Sequence, residues 1–530
     1  VKKAKLLCLL LALAMLISAC LVGCTKPAET PESSHAAEAT PPEEATAEPA
    51  IDTSEAVELT GYLLGAPPAG FDAMMEKLNE KLSADINATM TINYIGWADL
   101  EAKYPLVLAA GEDVDWIYTA NWAYYFQEAA KGAFYELTPE MLQTYAPRYW
   151  AAQNEVAYAQ ATVNGSIYML PTVSPDKKVP VAVIRGDLRK KYGLPEITNF
   201  ADIEPYLAAV KENEEGMYPM YLDSSYDLDK PYTYLEASGC TDILFSTGSG
   251  TGLFFDIEED SGQLHYLFDE PYFAGFKAAA DIVKSWYDKG YINQDVISNP
   301  DRSKDTFGEG KTAVAFGNSQ DIQGTLLAAA DKGWETEIIP GVSKAGHYLA
   351  DPFINNGAAI AANSQHPERT LMFLDLIMEE PSYNYLVYFG IEGENYVEKD
   401  GKIDLPEGVT NETNTYPPDA AGFWFTDKNQ HLPLATWPDQ YVAFRTEITD
   451  MGYLKPHPLA AMPIDTEPVK TEVANVNQVM IQYYQPIRAG MVDDVDAAFT
   501  MLDEQLKAAG VETLQTEFQA QVDAYLGGIQ

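Results

Sequence analysis

Cysteine is nearly missing from this chain. Its 530 residues hold 4, and Cys8, Cys20 and Cys24 all fall at the very start. Beyond them only Cys240 remains, so the body of the chain can form neither an intramolecular disulfide nor a multi-cysteine zinc site. Packing alone must stabilise it. Cations are scarce as well: 34 Lys and Arg stand against 79 Asp and Glu, a formal net charge of −45. Such a surface repels phosphate, so no nucleic-acid partner is expected and docking on anionic lipid through a basic face is excluded. The acid itself names no ligand, because its ordinary consequence is solubility. Histidines are few, and His265, His347, His366, His431 and His457 are scattered without a His-Glu-x-x-His pattern, which argues against a zinc hydrolase. No repeat of about 20–50 residues is present, setting aside solenoids and propellers.

What the chain does have is apolar substance, 47% hydrophobic and 12% aromatic, enough for a globular body. At about 100–200 residues per domain, its length predicts two to four domains or lobes. Lys2, Lys3 and Lys5 precede an uncharged apolar run from Leu6 to Val22, the pattern of an export signal, although its length also admits a short retained anchor. Leu21-Val22-Gly23-Cys24 resembles the lipobox of bacterial lipoproteins, in which the cysteine is diacylated and becomes the new N-terminus. Ile17-Ser18-Ala19-Cys20 is a second candidate. Cys24 is favoured because the polar segment starts immediately after it. Residues 24–54 are rich in Ala, Glu, Pro, Thr and Ser and cannot bury enough apolar surface to fold. The expectation is a signal peptide over 1–23, then a disordered acidic tether carrying an extracellular body.

Strand-like and helix-like segments then alternate. Val57–Leu63, Met90–Ile95 and Val114–Tyr118 read as strands, separated by helical periods over Phe71–Leu82 and Leu100–Ala110. This order predicts an α/β lobe with a largely parallel sheet. Val179–Arg185 opens a second set, with helices near 187–192, 200–212, 274–287 and 367–378 and a strand at Thr312–Phe316. Asp400-Gly401 is a hairpin signal, residues 405–470 read as irregular, and residues 493–526 carry a helical period. Gly308-Glu309-Gly310-Lys311-Thr312 imitates the end of a phosphate loop, but Asp305 stands where that loop requires glycine and the next residues are strand-like. A helix-to-strand turn is the better reading. Gly248–Gly252 fits neither a dinucleotide turn nor a nucleophile elbow. Arg185-Gly186-Asp187 lies at a strand-to-helix junction, where Asp187 suits the helix N-terminus. Carboxylate pairs suited to glycoside hydrolysis are bound to exist among so many acids, and that reading stays open.

Several ordered segments together resemble the family 1 extracellular solute-binding proteins of bacterial ABC importers, in particular lipoproteins of gut Gram-positive bacteria. They are Ile95–Leu100 with Leu108–Tyr118, Ala130–Leu137, Gly165–Pro171, Arg185–Leu188 with Tyr192–Pro195, Gly310–Val314, Asn363–Leu374, Tyr388–Gly393 and Leu506–Gln521. The resemblance implies an α/β, two-lobed periplasmic-binding-protein-like fold (class II type) with extra C-terminal helices. It places lobe 1 at 55–170 and 346–392 and lobe 2 at 171–345 and 393–530. It also implies a monomer without cofactor or catalytic residues, which captures a small solute by hinge closure and hands it to permease subunits.

Ligand-facing residues of α/β lobes lie just after strand C-termini. That rule selects Trp97, then Asn121, Trp122, Tyr124 and Tyr125, and then Asp351, Asn355 and Asn356. Trp424 (within Phe423-Trp424-Phe425) and Trp437 join them from the irregular region. Aromatic faces beside Asp and Asn suit a carbohydrate, whose C–H faces stack while its hydroxyls take directed hydrogen bonds. Trp116, inside a strand, is expected to pack in the core. A sugar ligand is expected, with a peptide ligand or a surface hydrolase as the alternatives.

Overall fold

The computed structural model describes residues 51–109, 114–239, 242–244, 250–259 and 261–529. The signal segment, Cys24, most of the tether and Cys240 lie outside the described residues. In chain order, β1 (Val57–Leu64), β2 (Ala88–Ile95), β3 (Trp116–Thr119), β4 (Leu170–Pro171), β5 (Pro180–Arg185), β6 (Tyr218–Met220), β7 (Thr312–Asn318), β8 (Thr336–Pro340) and β9 (Gly357–Ile360) form two sheets. One runs β2-β1-β3-β9-β4 and the other β8-β5-β7-β6. In the first, β1 is parallel to β2 and β3, while β9 returns antiparallel to β3 and β4. In the second, β5 is antiparallel to β7 and β8, and β6 is parallel to β7. The result is the expected two-lobed α/β fold.

Each lobe has its own core. In the first, helix Phe71–Asp85 buries Phe71, Met74, Leu78 and Leu82, positions three and four apart that share one helix face. Asn79 ties this helix to β2, its side chain accepting from Met90 N (2.7 Å) and donating to Met90 O (3.0 Å). In the second lobe, strand alternation divides the core. Ala182 and Ile184 of β5 join the large cluster that holds helix Tyr272–Asp288, whereas Val181 and Val183 point to the other face. Helix Asp439–Asp450 covers that other face with Tyr441, Phe444 and Ile448. The C-terminal helices Val495–Ala509 and Val511–Ile529 bury Val495, Phe499, Leu502, Leu506, Leu514, Phe518 and Val522 in the second-lobe core.

The imitation of a phosphate loop is a turn between helix Ser303–Phe307 and β7. The hairpin forms as expected, strands Val397–Lys399 and Lys402–Asp404 being joined through Asp400 and Gly401 at φ 53° and 75°, the doubly positive turn that Asp-Gly favours. Two expectations need correction. Residues 405–470 are not irregular throughout, because they contain helix Asp439–Asp450. The final return to the second lobe also comes later than residue 393. Tyr416, Ala421, Phe423 and Phe425 are buried in the first core, and the hairpin's Ile403 packs with Tyr385 and Phe389 of helix Pro381–Phe389. Chain order assigns these aromatic residues to lobe 2, but their contact with the first core assigns them to lobe 1.

The first sheet is sensitive at one point. A Cβ on Gly61 would stand 2.2 Å from the indole of Trp116, which is fully buried as expected. Gly61→Val should therefore destabilise the protein by about 1–3 kcal/mol or more through overpacking, read as a lowered midpoint in urea denaturation. An unchanged midpoint would mean that Trp116 does not pack on this strand.

Candidate functional site

Between the lobes lies a cleft of about 1170 Å³. The first lobe supplies Trp122, Asn355, Asn356, Tyr388, Asp419, Trp424, Lys428 and His431; the second supplies Gln320, Gln323, Trp437, Tyr441 and Arg445. Asp176 and Lys178 line it from the crossing between β4 and β5. Strand ends deliver the first-lobe groups. Trp122 follows β3, while Asn355 and Asn356 immediately precede β9.

Four aromatic rings form a platform. Trp97 and Trp424 stack with centroids 5.7 Å apart at 15°, and Trp97 lies 6.3 Å from Trp122. Tyr118 supports both Trp122 (5.8 Å) and, edge-on, Trp424 (5.4 Å) from below. Hydrogen bonds hold the set: Trp122 Nε1 donates to Asn355 O (2.9 Å) and Tyr118 Oη to Asn356 Oδ1 (2.7 Å). Trp97 and Trp122 are nevertheless 55% and 47% exposed, so part of each indole remains accessible from solvent. Trp97 does not line the cleft wall itself; it is joined to the wall through Trp424.

The polar part has an uneven character. Lys428 pairs with Asp176 at 2.6 Å. Burial pushes the Asp176 carboxyl up, but Lys428, with Lys178 and Gln320, outweighs it and holds the group below the usual carboxylate range. Asp419 and Asp351 lack such close compensation. Burial pushes Asp419 up to about 7 despite Lys428, and Asp351 up to about 6 despite Lys178, which stands 4.0 Å away. Burial, with Lys428 nearby, pushes His431 down to about 3. The ring is therefore neutral, and its Nε2 donates to Asn384 Oδ1 at 2.6 Å. Asp351 Oδ2, Asp419 Oδ1, Gln323 Oε1 and Trp437 Nε1 are buried without a hydrogen-bond partner among the described residues. Three of these are acceptors, and buried acceptors favour a ligand rich in donors. Arg445 lies over Trp437 (5.2 Å) and Tyr441 (5.8 Å).

The residues anticipated from strand ends and from the irregular region divide. Trp122, Asn355, Asn356, Trp424 and Trp437 line the cleft, and Asp351 sits beside it against Lys178. Tyr125 does not belong: it is fully buried in the first core, its hydroxyl bonded to Ala161 O. Tyr124, at φ 62°, turns onto Tyr104 with ring centroids 5.2 Å apart. Asn121 does not reach the cleft, its Oδ1 accepting from Trp122 N. A tight turn after β3 sends these neighbours inward while leaving only Trp122 outward. Asp176, Lys178, Asp419, Lys428, His431 and Arg445 were not anticipated. The Asp-Lys-Lys run at 176–178 was a signal available for the first two, and Arg445 was hidden by reading its helix as irregular.

Residues 73–390 match the family described as bacterial extracellular solute-binding protein, and residues 460–527 match a domain of unknown function (DUF3502). A carbohydrate ABC transporter substrate-binding protein of Streptococcus pneumoniae is 26% identical over 493 residues, 90% of this chain and 92% of that protein. Among solved structures, the N-glycan transport solute binding protein of S. pneumoniae gives a TM-score of 0.73 at 21% identity, over 90% of this chain and 100% of that one. An HMO binding ABC-transporter associated solute binding protein of Bifidobacterium longum infantis gives 0.67 at 17% identity, over 89% and 99%. At these identities the structural likeness establishes the common fold.

Asp419 offers a test of the cleft's electrostatics. Its carboxyl, raised to about 7 from 3.8, binds its proton more tightly in the folded state than in the unfolded one. Its contribution to stability therefore grows as pH falls through 7 towards 4, and its ionisation above pH 7 is destabilising. Asp419→Asn, which tolerates the residue's φ of 68°, should stabilise the ligand-free protein at pH 8 by about 1 kcal/mol or more. The gain should shrink by pH 5. Thermal melts at the two pH values check this, and an equal shift at both would show that Asp419 is ionised throughout.

Proposed function

Because this chain belongs to the bacterial extracellular solute-binding proteins, we propose that its cleft captures an oligosaccharide outside the cell and delivers it, by closure of the two lobes, to the permease of an ABC importer. The chain is a binding protein and not an enzyme. The observation that carries the ligand class is the open Trp97–Trp424–Trp122 platform beside buried acceptors without partners. Pyranose rings present flat C–H faces to indoles and hydroxyl donors to carboxylates and amides. The carbohydrate assignment of the pneumococcal relative supports the same reading. Closure follows from composition of the wall: first-lobe tryptophans oppose Trp437, Tyr441 and Arg445 of the second lobe, so a ligand touching both sets binds the closed form better than the open one and shifts the balance towards it.

Attachment is part of the proposal. Cys24 carries the lipid, residues 25–54 tether the body, and the protein acts as a monomer at the outer face of the membrane. Among the described residues no helix is long and apolar enough to cross a membrane.

Titration of the protein with a panel of oligosaccharides should quench or shift tryptophan fluorescence and raise the melting temperature. Trp122→Ala and Trp424→Ala should each weaken binding about tenfold or more, the equivalent of about 1.4 kcal/mol, with little change in the melting temperature of the free protein. Silence across the panel, or response to peptides alone, would overturn the sugar reading. Growth with a radioactive fatty acid should label the wild-type protein and not Cys24→Ala; equal labelling of the two would refute lipid attachment at this residue.

A further inference from the structure

The chain has seven arginines, and six of them are committed within the protein. Arg148 pairs with Asp375, Arg185 with Asp187, Arg189 with Glu337, Arg302 with Asp227 and Arg488 with Asp229. Arg369 donates to the carbonyls of Glu55, Ile86 and Asn87. Arg445 is the exception. Among the described residues its guanidinium meets no carboxylate and no carbonyl oxygen, although acids outnumber Lys and Arg by 79 to 34.

Its place is the second-lobe wall of the cleft, on helix Asp439–Asp450. Tyr441, Arg445 and Thr449 are four residues apart and share one helix face, and all three line the cleft. The guanidinium lies against the rings of Trp437 and Tyr441, 5.2 and 5.8 Å from their centroids. Ring faces steady a cation without using its N–H groups. Tyr441 is itself fixed, being fully buried with its Oη donating to Ser319 O (2.7 Å). Of the three guanidinium nitrogens only Nη1 has a polar contact, to Tyr441 Oη at 3.4 Å. Nε and Nη2 are open to solvent and have no hydrogen-bond partner among the described residues. A guanidinium presents five donors in a planar fork, and most of this fork is unspent.

The surrounding charges leave it so. Asp176 is taken by Lys428 at 2.6 Å, and Asp419 is also influenced by Lys428, on the first-lobe wall. Asp450, at the end of the helix, lines the same wall as Arg445. Next to it Thr449 Oγ1 accepts from Lys177 Nζ (3.4 Å), a second cation without an ion pair among the described residues. This end of the wall therefore carries two free cations and one acid.

Building on the oligosaccharide reading above, we infer that Arg445 receives a carboxylate, so that the captured oligosaccharide contains an acidic sugar residue such as a uronate. A carboxylate meets the fork with two parallel N–H···O bonds, which one hydroxyl oxygen cannot do, and charge-assisted bonds are about twice as strong as neutral ones. The net charge of −45 does not oppose this at contact range. At physiological ionic strength exposed charges more than about 8 Å apart are largely screened.

Titration calorimetry of the full chain with a galacturonate trisaccharide and a hyaluronan tetrasaccharide, each beside its carboxyl-reduced form, tests the inference. At least one acid should bind about tenfold or more tighter than its own reduced form. The preference should shrink as salt rises from about 50 to about 500 mM. Arg445→Gln should bring the paired affinities to within about threefold of each other, whatever it does to each, and Arg445→Lys should retain only part of the preference. If Arg445→Gln does not fold, Arg445→Lys carries the same comparison. Reduced forms that bind as tightly as their acids, or a preference undiminished in both variants, would overturn the inference and leave the sugar reading standing. Binding of other neutral oligosaccharides with none of these four would do the same. Silence of every saccharide, acidic and neutral alike, would overturn both.

Discussion

The architecture depends on the antiparallel insertion of β9 between β3 and β4. Ala358 and Ala359 pair with Tyr118 and Ile117, and Gly357 pairs with Pro171. This insertion brings the chain back from the second lobe to complete the first sheet. Asp115 secures it: its carboxylate accepts from Thr60 N (2.8 Å) and Ser364 Oγ (2.6 Å), and its carbonyl accepts from Ala361 N (3.0 Å). A buried carboxylate filled by such donors joins β1, β3 and the exit of β9 at a single residue. Because the first lobe is discontinuous, the chain must cross between the lobes more than once, and the cleft lies along those crossings.

The same insertion positions the cleft wall. Asn355 and Asn356 enter β9 directly, one bonding the Trp122 indole and the other the Tyr118 hydroxyl. The aromatic platform is thus held by backbone and side-chain hydrogen bonds from a segment more than 200 positions further along the chain. Pre-organised rings lose little side-chain freedom when a ligand stacks on them. The carboxylates behave differently. Asp176 is already compensated by Lys428, whereas Asp419 and Asp351 keep raised proton affinities. One carboxyl oxygen of each, Asp419 Oδ1 and Asp351 Oδ2, is buried without a hydrogen-bond partner among the described residues.

Much of the fold was legible because local signals agreed with the tertiary outcome. Strand alternation located β1 and β2, the apolar run located β5, and the Asp-Gly pair located its hairpin. The helical period after residue 493 located the C-terminal helices. Where periodicity was broken by proline and aromatics, between 405 and 470, helix Asp439–Asp450 and the true lobe boundary went unread. Of the cleft lining, Trp122, Asn355 and Asn356 were legible from strand ends, and Trp424 and Trp437 as aromatics of the irregular region. Tyr124 and Tyr125 were not separable from Trp122, since adjacent residues in a turn share a sequence neighbourhood but face opposite ways.

By itself, the sequence determined the economy of the molecule: too few cysteines for cross-links, too few cations for nucleic acid, and enough apolar periodicity for two layered cores. These are properties of composition and short-range spacing, which exist before the chain folds. Only tertiary structure decided which tryptophans face outward, which acids find a lysine and which remain without one. Each of these depends on groups far apart in the chain being held within a few ångströms, where burial and Coulomb interaction act.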